Sequence, residues 1–164
     1  MTVDPRTLHA LPWSQAGAPL DRVALRFLDG PTYTRGELLA AVEGRASGLA
    51  ARGVTHGDRV CLFEGNGADF VLDLLALSML GAVSVPLNLA LRGDALRDTL
   101  ALMAPCRVRI DRALAEIEEV EGVEYWFTDE PLPAGDPVPA DVHREDLAMI
   151  LLTSGTTGLS KGVM

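Results

Sequence analysis

Apolar and polar residues alternate through "VALRFLDGPTYT", residues 23 to 34, on either side of Asp29-Gly30, which predicts a two-stranded hairpin. The period then lengthens. Thr34 followed three residues later by Glu37 forms a capping box, and Leu38, Leu39, Val42, Ala46, Leu49 and Ala50 recur on one face of the helix it opens, with Gly53 as the stop.

Beyond Gly57-Asp58 the pattern becomes regular. "RVCLFE", "AVSVPLN", "CRVRI" and "VEYWF" read as strands, and "ADFVLDLLALSML", "DALRDTLALMA" and "RALAEIEEV" read as the helices between them. Strand and helix in alternation imply right-handed crossovers and a mainly parallel sheet covered by helices, so the fold class is α/β. The first of these helices looks apolar nearly all round, as a helix sandwiched between sheet and neighbours would.

One uncharged run, Leu74 to Ala90, resembles a membrane span in hydropathy. Gly81, Pro86 and Asn88 interrupt it, and its character changes at Gly81 from Leu-rich to Val-rich, so a buried helix, a turn and a buried strand explain it better. The organisation expected is an arm, hairpin and helix over 1–57, the alternating sheet over 58–127, a proline-rich connector over 128–144, and a strand with a glycine-rich loop over 145–164.

Charge narrows the partners. A formal net charge of -9, without a run of Lys or Arg, argues against nucleic acid and anionic membranes. The two cysteines, Cys61 and Cys106, stand in apolar strand contexts, which predicts reduced, buried thiols and, with no basic, apolar leader at the N-terminus, a cytoplasmic location. His9, His56 and His143 lack metal-ligand spacing, and the glutamates of 116–124 read as a solvated face, so no metal site is expected. Trp13 reads as a packing anchor, and Tyr125 and Trp126 as partners of the last strand in the series.

The chemistry is concentrated in "TSGTTGLSKG", residues 153 to 162, at the end of the apolar stretch Ala148 to Leu152. Gly155, Gly158 and Gly162 allow several backbone N–H groups to turn toward one anion. Thr153, Ser154, Thr156 and Thr157 add hydroxyl donors, and Lys161 adds charge. Such a loop at a strand end suits a polyphosphate. It is not a Walker loop: counted from Gly155 the sixth position is Ser160 instead of glycine, and Lys161 is followed by Gly162 instead of Ser or Thr.

"LLTSGTTGLSKGVM" resembles the signature of the adenylate-forming (AMP-binding) enzymes, which include acyl-CoA synthetases and peptide-synthetase adenylation domains. One position departs, Ser160 standing where the family usually has proline. "YTRGEL", "GVTHGDRVCLFEGNGADFV" and "LGAVSVPLNLALRGDAL" are similar to upstream segments of the same family, and Asn88 in "VPLN", where peptide-synthetase domains usually carry Asp, leans toward the acyl-CoA ligases.

The resemblance implies ATP-dependent activation of a small-molecule carboxylic acid to an acyl-adenylate with release of pyrophosphate, then transfer to coenzyme A. Carrier-protein loading and a non-catalytic nucleotide-binding or assembly module are the alternatives. It implies that Thr153, Ser154, Gly155, Thr156, Thr157, Gly158, Lys161 and Gly162 hold the nucleotide phosphates, with Lys161 and Thr156 in catalytic roles and Mg2+ carried on the nucleotide. It permits an acyl-carrier protein or a second copy as partner. It also implies that the chain is the first third of a longer synthetase, catalytically dead alone.

Overall fold

The computed structural model describes residues 7, 8, 10, 19–114, 123–136, 141–154 and 160–163. β1 (Val23–Arg26) and β2 (Thr32–Thr34) form the antiparallel hairpin. α1 (Arg35–Ala51) starts at the expected capping box. The Glu37 N–H donates to Thr34 Oγ1 (3.2 Å), and Glu37 Oε2 accepts from the Thr34 N–H (2.8 Å). Leu38, Val42, Ala46 and Leu49 are buried along its inner face.

The alternating series builds a four-stranded parallel sheet from β3 (Arg59–Phe63), β4 (Val83–Pro86), β5 (Arg107–Ile110) and β6 (Glu124–Phe127), in the order β4-β3-β5-β6. α2 (Ala68–Met79) and α3 (Gly93–Met103) supply the crossovers. Between β5 and β6 the expected helix shows only a 3-10 turn, Arg112–Leu114, and the rest of that prediction lies outside the described residues.

The uncharged run resolves into the last part of α2, a turn at Gly81 and β4, and among the described residues no helix is long and apolar enough to cross a membrane. Gly81 has φ +67°, and a Cβ there would lie 2.2 Å from His56 Cδ2, so both conformation and space demand glycine.

Each face of the sheet has its own core. On one, Cys61, Phe63, Val85, Val108 and Ile110 meet Leu96, Leu100 and Met103 of α3. On the other, Val60, Leu62 and Trp126 meet α1 and α2. Burial from both sides suits the near-continuous apolar run of β3, Val60 to Phe63. Trp126 is buried as a strand partner, flanked by the guanidiniums of Arg52 (5.1 Å) and Arg107 (5.2 Å), while Tyr125 is half-buried.

One expectation needs correcting. Cys106 is half-buried, because it precedes β5 and is only partly covered, whereas Cys61 in mid-sheet is fully buried and its thiol is pushed up to about 12 by burial. Both are free thiols. The proline-rich connector, in its described part, has irregular backbone over 131–136; Leu132 and Pro133 lie against Gly48 of α1, and a Cβ at Gly135 would meet the Ser47 carbonyl oxygen at 2.3 Å.

Candidate functional site

The stretch leading to the glycine-rich loop joins the sheet at the free edge of β4. Ser84 N donates to the Ala148 carbonyl (3.0 Å) and Ile150 N to the Ser84 carbonyl (2.9 Å), a parallel bridge between Ser84 and Met149. The Ser84 hydroxyl adds a third bond to Ala148 O (3.1 Å). A segment parallel to β4 runs toward the C-terminal ends of the strands, the end at which open α/β sheets present ligands.

Past Ile150 the chain leaves the ladder as β7 (Leu151–Ser154), which pairs antiparallel with β8 (Ser160–Val163). The predicted strand is therefore split: residues 148–150 belong to the sheet edge and 151–154 to a hairpin. Leu151 is exposed although it belongs to the apolar stretch Ala148 to Leu152.

The hairpin register sets Thr153 opposite Lys161 and Ser154 opposite Ser160. Thr153, Ser154, Lys161 and Gly162 are thus brought together on two paired strands by backbone alone. Gly155, Thr156, Thr157 and Gly158 lie outside the described residues. The glycine, hydroxyl and lysine content of 153–162 fits a polyphosphate ligand. Among the described residues no cluster of three His, Cys, Asp or Glu side chains is arranged to hold a metal ion.

The other strand ends are tied together beside this edge. Asp111, just past β5, accepts from the Gly65 N–H (3.1 Å) through Oδ2 and from the Thr128 hydroxyl (2.9 Å) through Oδ1. One carboxylate so joins the exits of β3, β5 and β6. Asn88, past β4, accepts from the Ala90 N–H (2.9 Å), a local turn bond that shapes the exit.

Below these exits is a charged cluster that the hydrophobic pattern concealed. Arg109 and Asp73 are both fully buried and paired, Arg109 Nε to Asp73 Oδ2 at 3.1 Å. Arg45 joins Asp73 (3.3 Å) to Asp69 (2.5 Å), and Glu64 lies buried nearby. α2 is therefore not apolar all round. The overlooked signal was a charged residue, Asp73, inside an apolar helix together with Arg109 in a strand covered on both faces, since each must find the other.

A cleft of about 260 Å3 opens at the other end of the sheet, lined by Leu8, Gly81, Ala82, His143, Asp146 and Leu147 among others. It flanks the entry to β4, away from the loop. There His56 Nε2 meets Asp146 Oδ2 at 3.1 Å, and the His143 N–H also donates to that carboxylate (2.8 Å). The His143 N–H foremost, and His56 after it, hold Asp146 below the usual carboxylate range. Both histidines therefore serve a local tie between segments. His9 and Trp13 lie outside the described residues, as do residues 116–122 of the glutamate-rich stretch.

The fold and its edge hairpin define a parallel α/β protein with helices on both faces. The family described as AMP-binding enzyme matches residues 11–164, and the chain belongs to that family.

A 4-chlorobenzoate–CoA ligase from Arthrobacter is 33% identical over 166 residues, 93% of this chain and 31% of that protein. A hybrid PKS-NRPS synthetase from Penicillium citrinum is 29% identical over 148 residues, 88% of this chain and 4% of that protein. Among solved structures, o-succinylbenzoate CoA synthetase from Bacillus subtilis, in complex with its acyl-adenylate intermediate, superposes with a TM-score of 0.75 at 29% identity, over 87% of this chain and 38% of that one. The chain thus spans about a third or less of the relatives it matches.

Proposed function

We propose that the protein to which this chain contributes activates a small carboxylic acid with ATP, forming an acyl-adenylate and releasing pyrophosphate, and then passes the acyl group to coenzyme A. The observation that carries this reading is the Thr/Ser/Gly/Lys hairpin on the edge of a sheet that superposes on an enzyme solved with its acyl-adenylate.

The chemistry asks for positioning and charge, because a carboxylate must approach the α-phosphorus of an anionic nucleotide and pyrophosphate must depart. In this reading the N–H and hydroxyl groups of Thr153 to Gly158 hold the β- and γ-phosphates. Lys161, opposite Thr153 in the register, offsets charge on the leaving group, and Thr156 adds a hydroxyl donor. Gly162 keeps the backbone beside Lys161 free of a side chain. Magnesium bound with the nucleotide supplies further charge neutralisation.

The test is isotope exchange between radiolabelled pyrophosphate and ATP across a broad panel of carboxylic acids in the intact synthetase. Acid-dependent exchange is the expected result, and its absence with every acid would refute the reading. Lys161→Ala should lower that exchange by about 100-fold or more while the circular-dichroism spectrum stays unchanged. Alone, the 164-residue chain should show no turnover, since it spans only a third of its ligase relative.

The match to a hybrid PKS-NRPS synthetase supports a second acceptor, a carrier-protein thiol. Coenzyme A-dependent product release decides between the two.

A further inference from the structure

Glu64 follows β3 directly, and only 4% of it is exposed. The charges that act on it are Asp73 and Asp69 of α2, Arg109 of β5 and Arg45 of α1. Asp111, past the end of β5, takes the N–H of the adjoining Gly65.

The two guanidiniums are already committed. Arg109 gives Nε to Asp73 and Nη1 to the Phe127 carbonyl (3.1 Å), while Arg45 gives Nη1 to Asp73 and Nη2 to Asp69. Two cations are matched by two carboxylates, and neither oxygen of Glu64 has a hydrogen-bond partner among the described residues. A third negative charge here would be buried, unbonded and uncompensated. A neutral acid avoids that cost. The Nη2 of Arg109 is likewise buried without a hydrogen-bond partner, so it does not bond Glu64 in the folded chain.

We propose that Glu64 folds as a neutral carboxylic acid and acts as a pH-sensitive latch on the β3–α2 turn, which loosens when Glu64 loses its proton. The turn, Glu64 to Gly67, lies at the C-terminal end of the sheet, the end toward which residues 148–150 run beside β4. The latch does not depend on the adenylation reading.

Burial, reinforced by the charge of Asp73, raises Glu64 from 4.5 to about 8. Burial also pushes Asp73 up, but two guanidiniums bonded to its carboxylate favour its charged form, so the proton of this pair resides on Glu64. A carboxyl raised on folding contributes stability that is complete below its unfolded pKa and lost as pH rises toward its folded pKa. The window therefore runs from 4.5 to about 8, with stability falling across it and flat above.

The experiment is a carbon-13 NMR titration of the chain with glutamate carboxyl carbons labelled, together with hydrogen exchange of the amides from Gly65 to Phe70. One glutamate is expected to titrate at least about two pH units above the rest. Glu64→Gln should remove that signal and flatten the fall in melting temperature between pH 5 and 8. After correction for intrinsic exchange, the turn amides should lose protection across the same titration in the parent and not in Glu64→Gln.

Asp73→Asn, which frees Arg109 and removes the repelling charge, should lower the Glu64 titration by more than about one pH unit, and it provides the assignment if Glu64→Gln does not fold. A Glu64 that titrates with the other glutamates, is unmoved by Asp73→Asn, or leaves turn protection unchanged as it ionises would overturn the proposal.

Discussion

The two faces of the central sheet solve the same burial problem with different chemistry. Toward α3, β3, β5 and β4 present Cys61, Phe63, Val108, Ile110 and Val85 to Leu96, Leu100 and Met103, and the contacts are apolar. Toward α1 and α2, the same strands present Val60 and Leu62 beside Arg107, Arg109 and Glu64, with Asp73 and Arg45 as counter-charges. The α3 face gains from area and tolerates exchange of similar volumes; the face toward α1 and α2 gains from area as well, but its buried charges are intolerant of a missing partner.

The sharpest way to break that comparison is to remove one member of the buried pair. Asp73→Ala leaves Arg109 buried without its carboxylate and should cost about 3–5 kcal/mol in urea unfolding. On the other face, Leu100→Ala opens a cavity under α3 and should cost about 2–5 kcal/mol, with a value set by how far the site collapses.

Replacing both members, Asp73→Leu with Arg109→Leu, should be far milder than Asp73→Ala, and a gain of about 1–4 kcal/mol is the upper end. A double variant as unstable as the single one would show that the cluster contributes net stability, contrary to the contrast drawn between the faces. Smallest, Thr34→Ala removes the cap of α1 without touching either face and should cost about 1 kcal/mol in the same assay.

Much of the frame was legible because local rules and global fold agree. Thr34 and Glu37 announce the start of α1, Asp29-Gly30 announces the hairpin, and the period change after Gly57 announces strand–helix alternation. The glycine, hydroxyl and lysine residues of 153–162 are visible in the sequence, and the structure adds the register of β7 with β8. What stayed hidden has a common physical cause. Arg109 sits between Val108 and Ile110, and Asp73 among leucines, so each looks like an isolated exception until α2 is laid across β5. The exposure of Leu151 was equally unreadable, since an apolar pair such as Leu151-Leu152 does not reveal where a strand leaves one sheet to form another.

By itself, the sequence determined the order and kind of elements, the α/β class, and the concentration of glycine, hydroxyl and lysine residues in one stretch, 153–162. Those follow from side-chain periodicity, capping and backbone freedom, which act within a few residues. The tertiary structure decided the strand order β4-β3-β5-β6, the docking of Met149 beside Ser84, and the burial of Glu64 among groups from α1, α2 and β5. These depend on residues tens of positions apart meeting in a medium where an unpaired charge is costly, and that cost exists only once the helices cover the sheet.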